Sequence, residues 1–230
     1  MAVVRKIRCT VERVTDHGER VYTLDLEPSM KVPRFTPGQF LHLALDSYEP
    51  DALWPDSRVF SIANSPQERD RLLITYAVKG AFTSRMQREL APGVDTWVKL
   101  PYGEFVVDPA RDAVLFAGGT GITAFTAFLQ SMTTDHAARV LLFYGARKSS
   151  LFVYGPLAEA RAREVPSLTC HLVCEATHGR LEVDAAWPAI TGLRDPIFYL
   201  SGPPPMLTAL TAQLRGRNVP VHDIRIDAWE

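Results

Sequence analysis

The sequence predicts two domains of different fold class, an antiparallel β-barrel over residues 1–108 and an α/β domain with a parallel sheet over residues 109–230. The first half contains short strand-like runs separated by turns, a spacing typical of antiparallel barrels. The second half alternates strand and helix patterns, which is typical of a parallel sheet with helices on its faces. The polar segment Asp108–Asp112 separates the two patterns, so we place the domain boundary there.

The composition is that of a globular protein, with 47% hydrophobic and 22% charged residues among 230. A net charge of −1 gives no general attraction to nucleic acid or to an anionic membrane. No apolar run approaches the ~20 residues that a membrane-spanning helix needs. The three cysteines are too few to ligate an iron–sulfur cluster and favour a reduced, cytoplasmic setting. The histidines show no ligand spacing, and we predict no metal site.

The first domain is predicted from period-two alternation and from turn residues. Its predicted strands are residues 3–14, 20–27, 39–45, 58–63, 71–78, 96–100 and 104–107. Between the strands predicted over residues 71–78 and 96–100, residues 79–90 are predicted to form a glycine loop that enters a short helix, with Thr83 as its N-cap. Gly80 and Thr83 would place backbone N–H groups and a hydroxyl at a helix start, which suits an anion. A plain capped helix has the same pattern.

One predicted strand of this domain, Arg58-Val59-Phe60-Ser61, carries side chains that are able to bind a ligand. Side chains alternate along a strand, so Arg58 and Phe60 share one face while Val59 and Ser61 share the other. An arginine fork suits a pyrophosphate, an aromatic side chain suits a flat ring, and a serine hydroxyl can form a hydrogen bond at the ring edge. An ordinary barrel strand with a solvated arginine remains the alternative.

The second domain carries two glycine turns, each after an apolar strand. Its predicted strands are residues 113–117, 139–144, 169–174, 196–200 and 221–226, and its predicted helices are residues 124–132, 152–163, 183–190 and 204–215. Gly118–Thr123 joins a strand to a helix, an arrangement that offers backbone N–H groups and a positive helix end to a phosphate. Ser201–Pro205 follows another strand, and ligands of open α/β sheets bind at this edge. Since the full G-x-G-x-x-G spacing is absent, a purely structural turn at Gly118–Thr123 stays open.

Together these motifs, in this order and over nearly the whole chain, resemble the ferredoxin–NADP reductase-like family of FAD- and NAD(P)-binding oxidoreductases. Arg58–Ser61 resembles the R-x-[YF]-[ST] flavin motif, and Gly80–Thr83 resembles the flavin-pyrophosphate loop. Gly118–Thr123 resembles the pyrophosphate loop for the nicotinamide nucleotide. Tyr144–Arg147 resembles the strand end beside the adenosine ribose, and Ser201–Met206 resembles the C-G-P-x-x-M loop near the nicotinamide.

The resemblance implies roles in binding FAD, with FMN as an alternative. Arg58 would bind the pyrophosphate, Phe60 would contact the flavin, and Ser61 would form a hydrogen bond near its N5 atom. The residues assigned to the flavin are Arg58, Val59, Phe60, Ser61, Tyr76, Val78, Gly80, Ala81, Phe82 and Thr83.

The resemblance also implies a site for NAD(P)H and a set of catalytic residues. The residues assigned to this nucleotide are Gly119, Thr120, Gly121, Ile122, Thr123, Arg147, Gly202, Pro203 and Met206. Trp229 is also assigned to cofactor binding, and the catalytic residues are Ser61, Ser201, Asp227 and Trp229. Ser201 stands where many family members have cysteine, which predicts slower or altered hydride transfer. The ending Ile226–Glu230 is similar to the family's acid-x-aromatic ending, in which Trp229 would stack on the flavin and Asp227 would relay a proton or hold the ring. A frayed terminus with an incidental tryptophan is the alternative.

The choice between NADH and NADPH depends on a few charged residues. Arg147, Lys148 and Ser149 are able to accept a 2′-phosphate, or they form a solvated loop. Glu175 would repel that phosphate, and Arg180 would offset the repulsion. We therefore expect a slight preference for NADH.

The implied function is an NAD(P)H-dependent flavoprotein reductase that passes electrons from the nicotinamide through FAD to a separate acceptor, such as a ferredoxin or an oxygenase component. Because the chain has no cysteine cluster, any iron–sulfur centre would lie on a partner. Two alternatives stay open, a reductase of free flavin or ferric complexes and a non-catalytic subunit that binds the cofactors.

Overall fold

The structure is a computed structural model, and it describes residues 3–227. The chain divides into two compact units, one ending at Val106 and one beginning at Val107. None of the helices between residues 3 and 227 has both the length and the apolar character that a bilayer span requires.

The first unit is built on an antiparallel sheet, as predicted. The elements described up to Val106 are β1 (Arg5–Asp16), β2 (Val21–Pro28), β3 (Phe40–Ala44), β4 (Ser57–Ser61), β5 (Leu72–Ala77), α1 (Ala81–Glu89) and β6 (Asp95–Tyr102). The strand order is β4-β3-β6-β1-β2-β5, and every neighbouring pair is antiparallel. Just beyond β4, the Ala63 N–H donates to the Leu73 carbonyl of β5 at 2.9 Å, so the two edge strands approach and nearly close the barrel.

Period-two alternation builds the interior of this barrel. In β3, Leu41 and Leu43 are fully buried, while Phe40 and His42 are half-buried on the opposite face. The same alternation buries Ile7, Cys9 and Val11 of β1. Burial of these inward rows is the main favourable term that holds the barrel together.

The predicted strand over residues 104–107 is wrong, because the chain turns there instead of pairing. Gly103 has φ +94°, a left-handed conformation that ends β6 after Tyr102. A Cβ at position 103 would lie 2.6 Å from the Phe40 ring, so the close contact also demands glycine. The Val106 N–H then donates to the Glu104 carbonyl at 2.8 Å, which closes a tight turn.

The second unit is a parallel sheet with helices, also as predicted. Its strands within residues 107–227 are β7 (Ala113–Gly118), β8 (Val140–Ala146), β9 (Leu168–Cys174), β10 (Ile197–Ser201) and β11 (Ile224–Asp227). Its helices in the same range are α2 (Thr123–Ser131), α3 (Gly155–Glu164), the single turn α4 (Glu175–His178), α5 (Val183–Ile190) and α6 (Pro204–Gly216). The sheet order is β11-β10-β7-β8-β9, and each neighbouring pair is parallel.

The central strand β7 is buried along its whole length, which explains its uninterrupted apolar sequence. One face of the sheet packs against α5 and α6, where Leu207, Leu210 and Leu214 meet Phe116 and Phe198. The element boundaries differ in detail from the predicted ones. A 3₁₀ turn over Val221–Asp223 delays the last strand to Ile224, and the third helix begins only at Gly155.

A buried ion cluster links β1, β2 and the residue that precedes β5. Asp25 in β2 has a side chain only 4% exposed, and Arg71 donates to its two carboxylate oxygens at 2.7 Å each. Arg13 adds a third hydrogen bond at 3.0 Å. Burial by itself would raise the pKa of Asp25, but the hydrogen bonds and charges of Arg71 and Arg13 outweigh it and hold that pKa below its ordinary value.

We expect Asp25→Asn to lower the free energy of unfolding at neutral pH by about 2–4 kcal/mol, because two guanidinium groups lose their charged partner. The folded pKa of Asp25 lies below its unfolded value of about 4, so its contribution is complete above that pH and is lost as the pH falls through the folded pKa. Urea denaturation at a series of pH values measures both effects. The exposed Asp51→Asn is the control and should change stability by less than about 0.5 kcal/mol. A loss that stays constant down to the lowest pH would contradict this account.

Candidate functional site

The barrel brings the β4 motif to the start of α1. Arg58 is half-exposed, and its Nη1 donates to Asp56 Oδ1 at 2.7 Å and to the Ser57 carbonyl at 2.8 Å. Its Cζ atom lies 5.1 Å from the centroid of the Phe82 ring in α1, a cation–π distance. Two motifs separated by about twenty residues in the sequence are therefore neighbours in the fold.

Aromatic side chains lie beside this arginine. The Phe60 ring is edge-on to the Tyr76 ring of β5 at 6.2 Å, and Tyr76 stacks on Tyr22 of β2 at 5.7 Å. Burial raises the pKa of Tyr76 to about 12, so its phenol stays protonated at neutral pH. Ser61, at the end of β4, is 8% exposed. An arginine next to aromatic faces has the chemistry needed to hold an anion beside a flat ring.

The loop before α1 directs its backbone donors at one oxygen. The Oγ1 atom of Thr83 accepts hydrogen bonds from the Lys79 N–H at 2.9 Å and the Gly80 N–H at 3.1 Å. The prediction that Thr83 caps the helix is wrong, because Gly80 occupies the N-cap position and Thr83 lies three residues later. The Thr83 hydroxyl instead orders the loop, because it accepts hydrogen bonds from two backbone N–H groups that precede it in the chain.

The packing of the protein does not explain why residue 80 is a glycine. Its φ of −143° is extended and open to any residue, and a Cβ there would meet no atom of residues 3–227 within 4 Å. The backbone at this position is therefore open to close approach by a ligand, as the sequence predicted for this loop. Of the other assigned residues, Val78 and Phe82 are buried and Ala81 is exposed at the start of the helix.

In the α/β unit the two glycine turns contact each other directly. A Cβ on Gly121 would lie 2.3 Å from the Ser201 carbonyl oxygen, and one on Gly118 would lie 2.5 Å from Met206 Sδ. Gly119 has φ +53°, which favours glycine. Thr123 donates from its hydroxyl to the Thr120 carbonyl at 2.9 Å and so closes the turn that enters α2.

Two of the predicted catalytic residues form a buried hydrogen bond. Ser201 Oγ donates to Asp227 Oδ2 at 2.8 Å, and the two residues are 2% and 5% exposed. The strand register explains the contact, because Ser201 lies between Ala117 of β7 and Asp227 of β11. Trp229 lies outside the described residues.

The residues proposed to select the nucleotide also lie at one sheet edge. Arg147 and Glu175 follow directly after β8 and β9, whose last residues are paired. The Ala176 N–H donates to the Arg147 carbonyl at 3.3 Å. Glu175 Oε1 lies 3.3 Å from Arg180 Nε in an exposed ion pair. No group of three or more His, Cys, Asp or Glu side chains within residues 3–227 is placed to hold a metal ion.

Two residues that support the barrel site were not predicted. Asn64 is fully buried, and its side chain accepts from the Leu73 N–H at 2.9 Å and donates to the carbonyls of Glu68 and Arg71 at 3.0 Å. It fixes the turn that follows Ser61. The other is Tyr22, whose position opposite Tyr76 depends on the pairing of β2 with β5. An asparagine just after the strand motif is a turn signal, whereas nothing local indicates the role of Tyr22.

A family model described as the oxidoreductase NAD-binding domain matches residues 115–212. The ferredoxin reductase component of the 3-ketosteroid-9-alpha-monooxygenase of Mycolicibacterium smegmatis is 28% identical over 96% of this chain and 63% of its own length. The electron transfer subunit of the dihydroorotate dehydrogenase B (NAD⁺) of Shouchella clausii is 27% identical over 91% of this chain and 79% of its own length. The crystal structure of the Amycolatopsis cytochrome P450 reductase GcoB has a TM-score of 0.84 at 22% identity and covers 99% of this chain and 70% of that one.

The chain contains an oxidoreductase NAD-binding domain over residues 115–212, and over most of its length it is similar to ferredoxin reductase components that bind FAD and NAD. The predicted resemblance and the predicted fold class are therefore confirmed. The chain spans slightly less than two thirds of the length of several curated members that it matches, such as the steroid monooxygenase component.

In this reductase-like fold we expect Gly121→Ala to destabilise the α/β unit by about 1–3 kcal/mol, because the added methyl group would overlap the Ser201 backbone. Thermal or urea unfolding measures the change. Gly216→Ala is the matched control, since a Cβ at the end of α6 meets no atom of residues 3–227 within 4 Å. It should be neutral or slightly stabilising. Equal stability of the two variants would show that the turns are not in contact.

Proposed function

We propose that this chain is an NAD(P)H-dependent flavoprotein reductase that passes electrons from the nicotinamide through FAD to an acceptor on a separate chain, a ferredoxin-like or oxygenase component. The observation that carries the proposal is that each unit holds one nucleotide-type loop: Gly80–Thr83 beside Arg58, and Gly118–Thr123 against Ser201. The names of the relatives support it, since they are reductase and electron transfer components. The free cysteines at positions 9, 170 and 174 support a reduced, cytoplasmic location.

The barrel residues fit FAD. Arg58 would pair with the pyrophosphate, the backbone N–H groups in the first turn of α1 would point at the same group, and the open space at the Gly80 Cβ position leaves room for it. Phe60 and Tyr76 would contact the ring system, and Ser61 would form a hydrogen bond at the ring edge. When bound, the flavin supplies the hydride and single-electron chemistry, and the protein supplies binding and orientation.

The α/β residues fit a nicotinamide nucleotide. The turn over Gly119–Thr123 would hold the pyrophosphate at the start of α2, and Gly202, Pro203 and Met206 would border the nicotinamide. We propose that Asp227 fixes the Ser201 hydroxyl toward the nicotinamide, because their buried hydrogen bond leaves that hydroxyl little rotational freedom. The role of Trp229 stays a prediction.

The decisive experiment is a visible spectrum of the purified full chain, with the released flavin identified, followed by steady-state oxidation of NADH and NADPH. The acceptors are a ferredoxin, cytochrome c, ferricyanide and free flavin. Bound flavin and transfer to the protein acceptors are expected. A colourless protein that turns over only with added flavin would instead be a free-flavin reductase. No oxidation with any acceptor would leave a non-catalytic cofactor-binding subunit.

In the same assay Arg58→Ala should weaken FAD retention by about tenfold or more, because a charge-assisted hydrogen bond to the pyrophosphate is lost. Folding should change by less than about 1 kcal/mol, since the Arg58–Asp56 ion pair is exposed. Retention is measured by the flavin-to-protein absorbance ratio after dilution and gel filtration. The control is Arg88→Ala, an exposed arginine on α1. Equal losses of flavin and stability at position 58 would make Arg58 a structural residue.

We further propose a preference for NADH, set by the carboxylate of Glu175 at the sheet edge beside Arg147. Glu175→Gln should raise the ratio of kcat/KM for NADPH over NADH by about three- to tenfold, because it removes a negative charge near the 2′-phosphate. Glu159→Gln on α3 is the control, since it removes an exposed carboxylate elsewhere on the unit. An unchanged ratio in the Glu175 variant would place the 2′-position away from this edge.

A further inference from the structure

The barrel unit carries a groove that none of the proposed nucleotide contacts uses. It lies between the start of β1, the segment after β2 and the connection from β4 to β5, and it has a volume of about 530 Å³. Its lining includes Val3, Arg5, Met30, Lys31, Arg34 and Arg69. We refer to these residues as the cationic groove.

The charge of this groove is one-sided. Four of the lining side chains are cationic, and none is acidic. Among residues 3–227 no ion pair joins Arg5, Lys31 or Arg34 to a carboxylate, although the chain contains 26 acidic residues. Glu68 and Asp70 adjoin Arg69 in sequence, and the charge of Glu68 acts on Arg71. Because four cations and no carboxylates line the groove, it presents a local positive potential on a protein of net charge −1.

Apolar side chains complete the groove. Val3 is 67% exposed and Met30 is 57% exposed, and both rank among the few large hydrophobic side chains that the described residues leave in solvent. A small inorganic anion would use the cations but not these two side chains. Protein interfaces combine methionine, arginine and apolar contact area, so the composition fits a protein ligand better.

The central part of the groove is rigid. Val32 is fully buried, its N–H donates to the Arg69 carbonyl at 2.7 Å, and Arg69 Nε donates to the Val32 carbonyl at 2.7 Å. The Ser29 N–H donates to the Arg8 carbonyl at 2.8 Å. These bonds hold the segment of Met30 and Lys31 in place, so little conformational entropy would be lost when a ligand binds.

We propose that the cationic groove binds an acidic segment of a partner protein, whose carboxylates pair with Arg5, Lys31 and Arg34 while an apolar side chain packs on Val3 and Met30. A second copy of this chain is a poor occupant, because a two-fold contact would oppose the same cations. A bilayer is also a poor occupant, because a protein of net charge −1 has no general attraction to an anionic membrane. The binding does not depend on the proposed redox function.

The test is a fluorescence anisotropy titration of the full chain with a labelled peptide of alternating glutamate and leucine. We expect saturable binding that weakens with added salt. The double variant Lys31→Glu/Arg34→Glu should weaken binding by about tenfold or more. Arg163→Glu/Arg194→Glu, which makes the same charge change at exposed positions of the α/β unit, should alter affinity less than about twofold.

Other outcomes would overturn the proposal. Equal losses in the two double variants would show attraction to net charge rather than to the groove. Tighter binding of duplex DNA or of phosphatidylglycerol vesicles, lost in the Lys31→Glu/Arg34→Glu variant, would assign the groove to nucleic acid or lipid. Met30→Ser, which changes no charge, should weaken peptide binding about threefold, and an unchanged affinity would remove the apolar contact. Circular dichroism and ferricyanide reduction should be unchanged in every groove variant, which separates failure of the groove from failure of the reductase assignment.

Discussion

The α/β unit depends on one close approach of backbone to backbone. The turn after β7 contacts the turn after β10, so closely that a Cβ on Gly121 would overlap the Ser201 carbonyl. The contact exists because β7 and β10 are adjacent parallel strands whose carboxyl ends reach the same edge. It places the start of α2 beside the Ser201–Asp227 hydrogen bond. The partial positive charge at the N-terminus of α2 and the buried Ser201 hydroxyl therefore lie close together.

The barrel reaches a comparable result by different means. The turns at Gly38 and Gly103 also pack closely against each other there, but the proposed flavin site relies on side chains from three elements. Arg58 of β4, Tyr76 of β5 and Phe82 of α1 converge because an antiparallel sheet brings its edge strands together as it curls. Asn64 and the Asp25 cluster then fix the backbone around them by satisfying buried polar groups. Structural and binding roles are thereby separated among different residues.

Several predictions from sequence succeeded for a common reason, and others failed for a common reason. Local periodicity is enough to fix the type and order of most elements, so the two fold classes, the sheet and the glycine turns were predictable. The run 104–107 has strand composition, yet Gly103 and the Phe40 ring turn the chain away from the sheet. Thr83 and Gly80 are both acceptable N-caps by composition, and only the backbone conformation separates them.

The sequence by itself therefore determined the two-domain architecture, the resemblance to ferredoxin reductase components and the positions of the motifs that resemble nucleotide-binding loops. Only the tertiary structure decided which of those residues touch, such as Arg58 with Phe82 and Ser201 with Asp227. The cationic groove is likewise visible only in the tertiary structure, because Arg5, Lys31 and Arg69 lie far apart in the chain and share no sequence pattern. The physical reason is that periodicity encodes which face of an element is buried, whereas strand pairing and register determine which distant side chains meet.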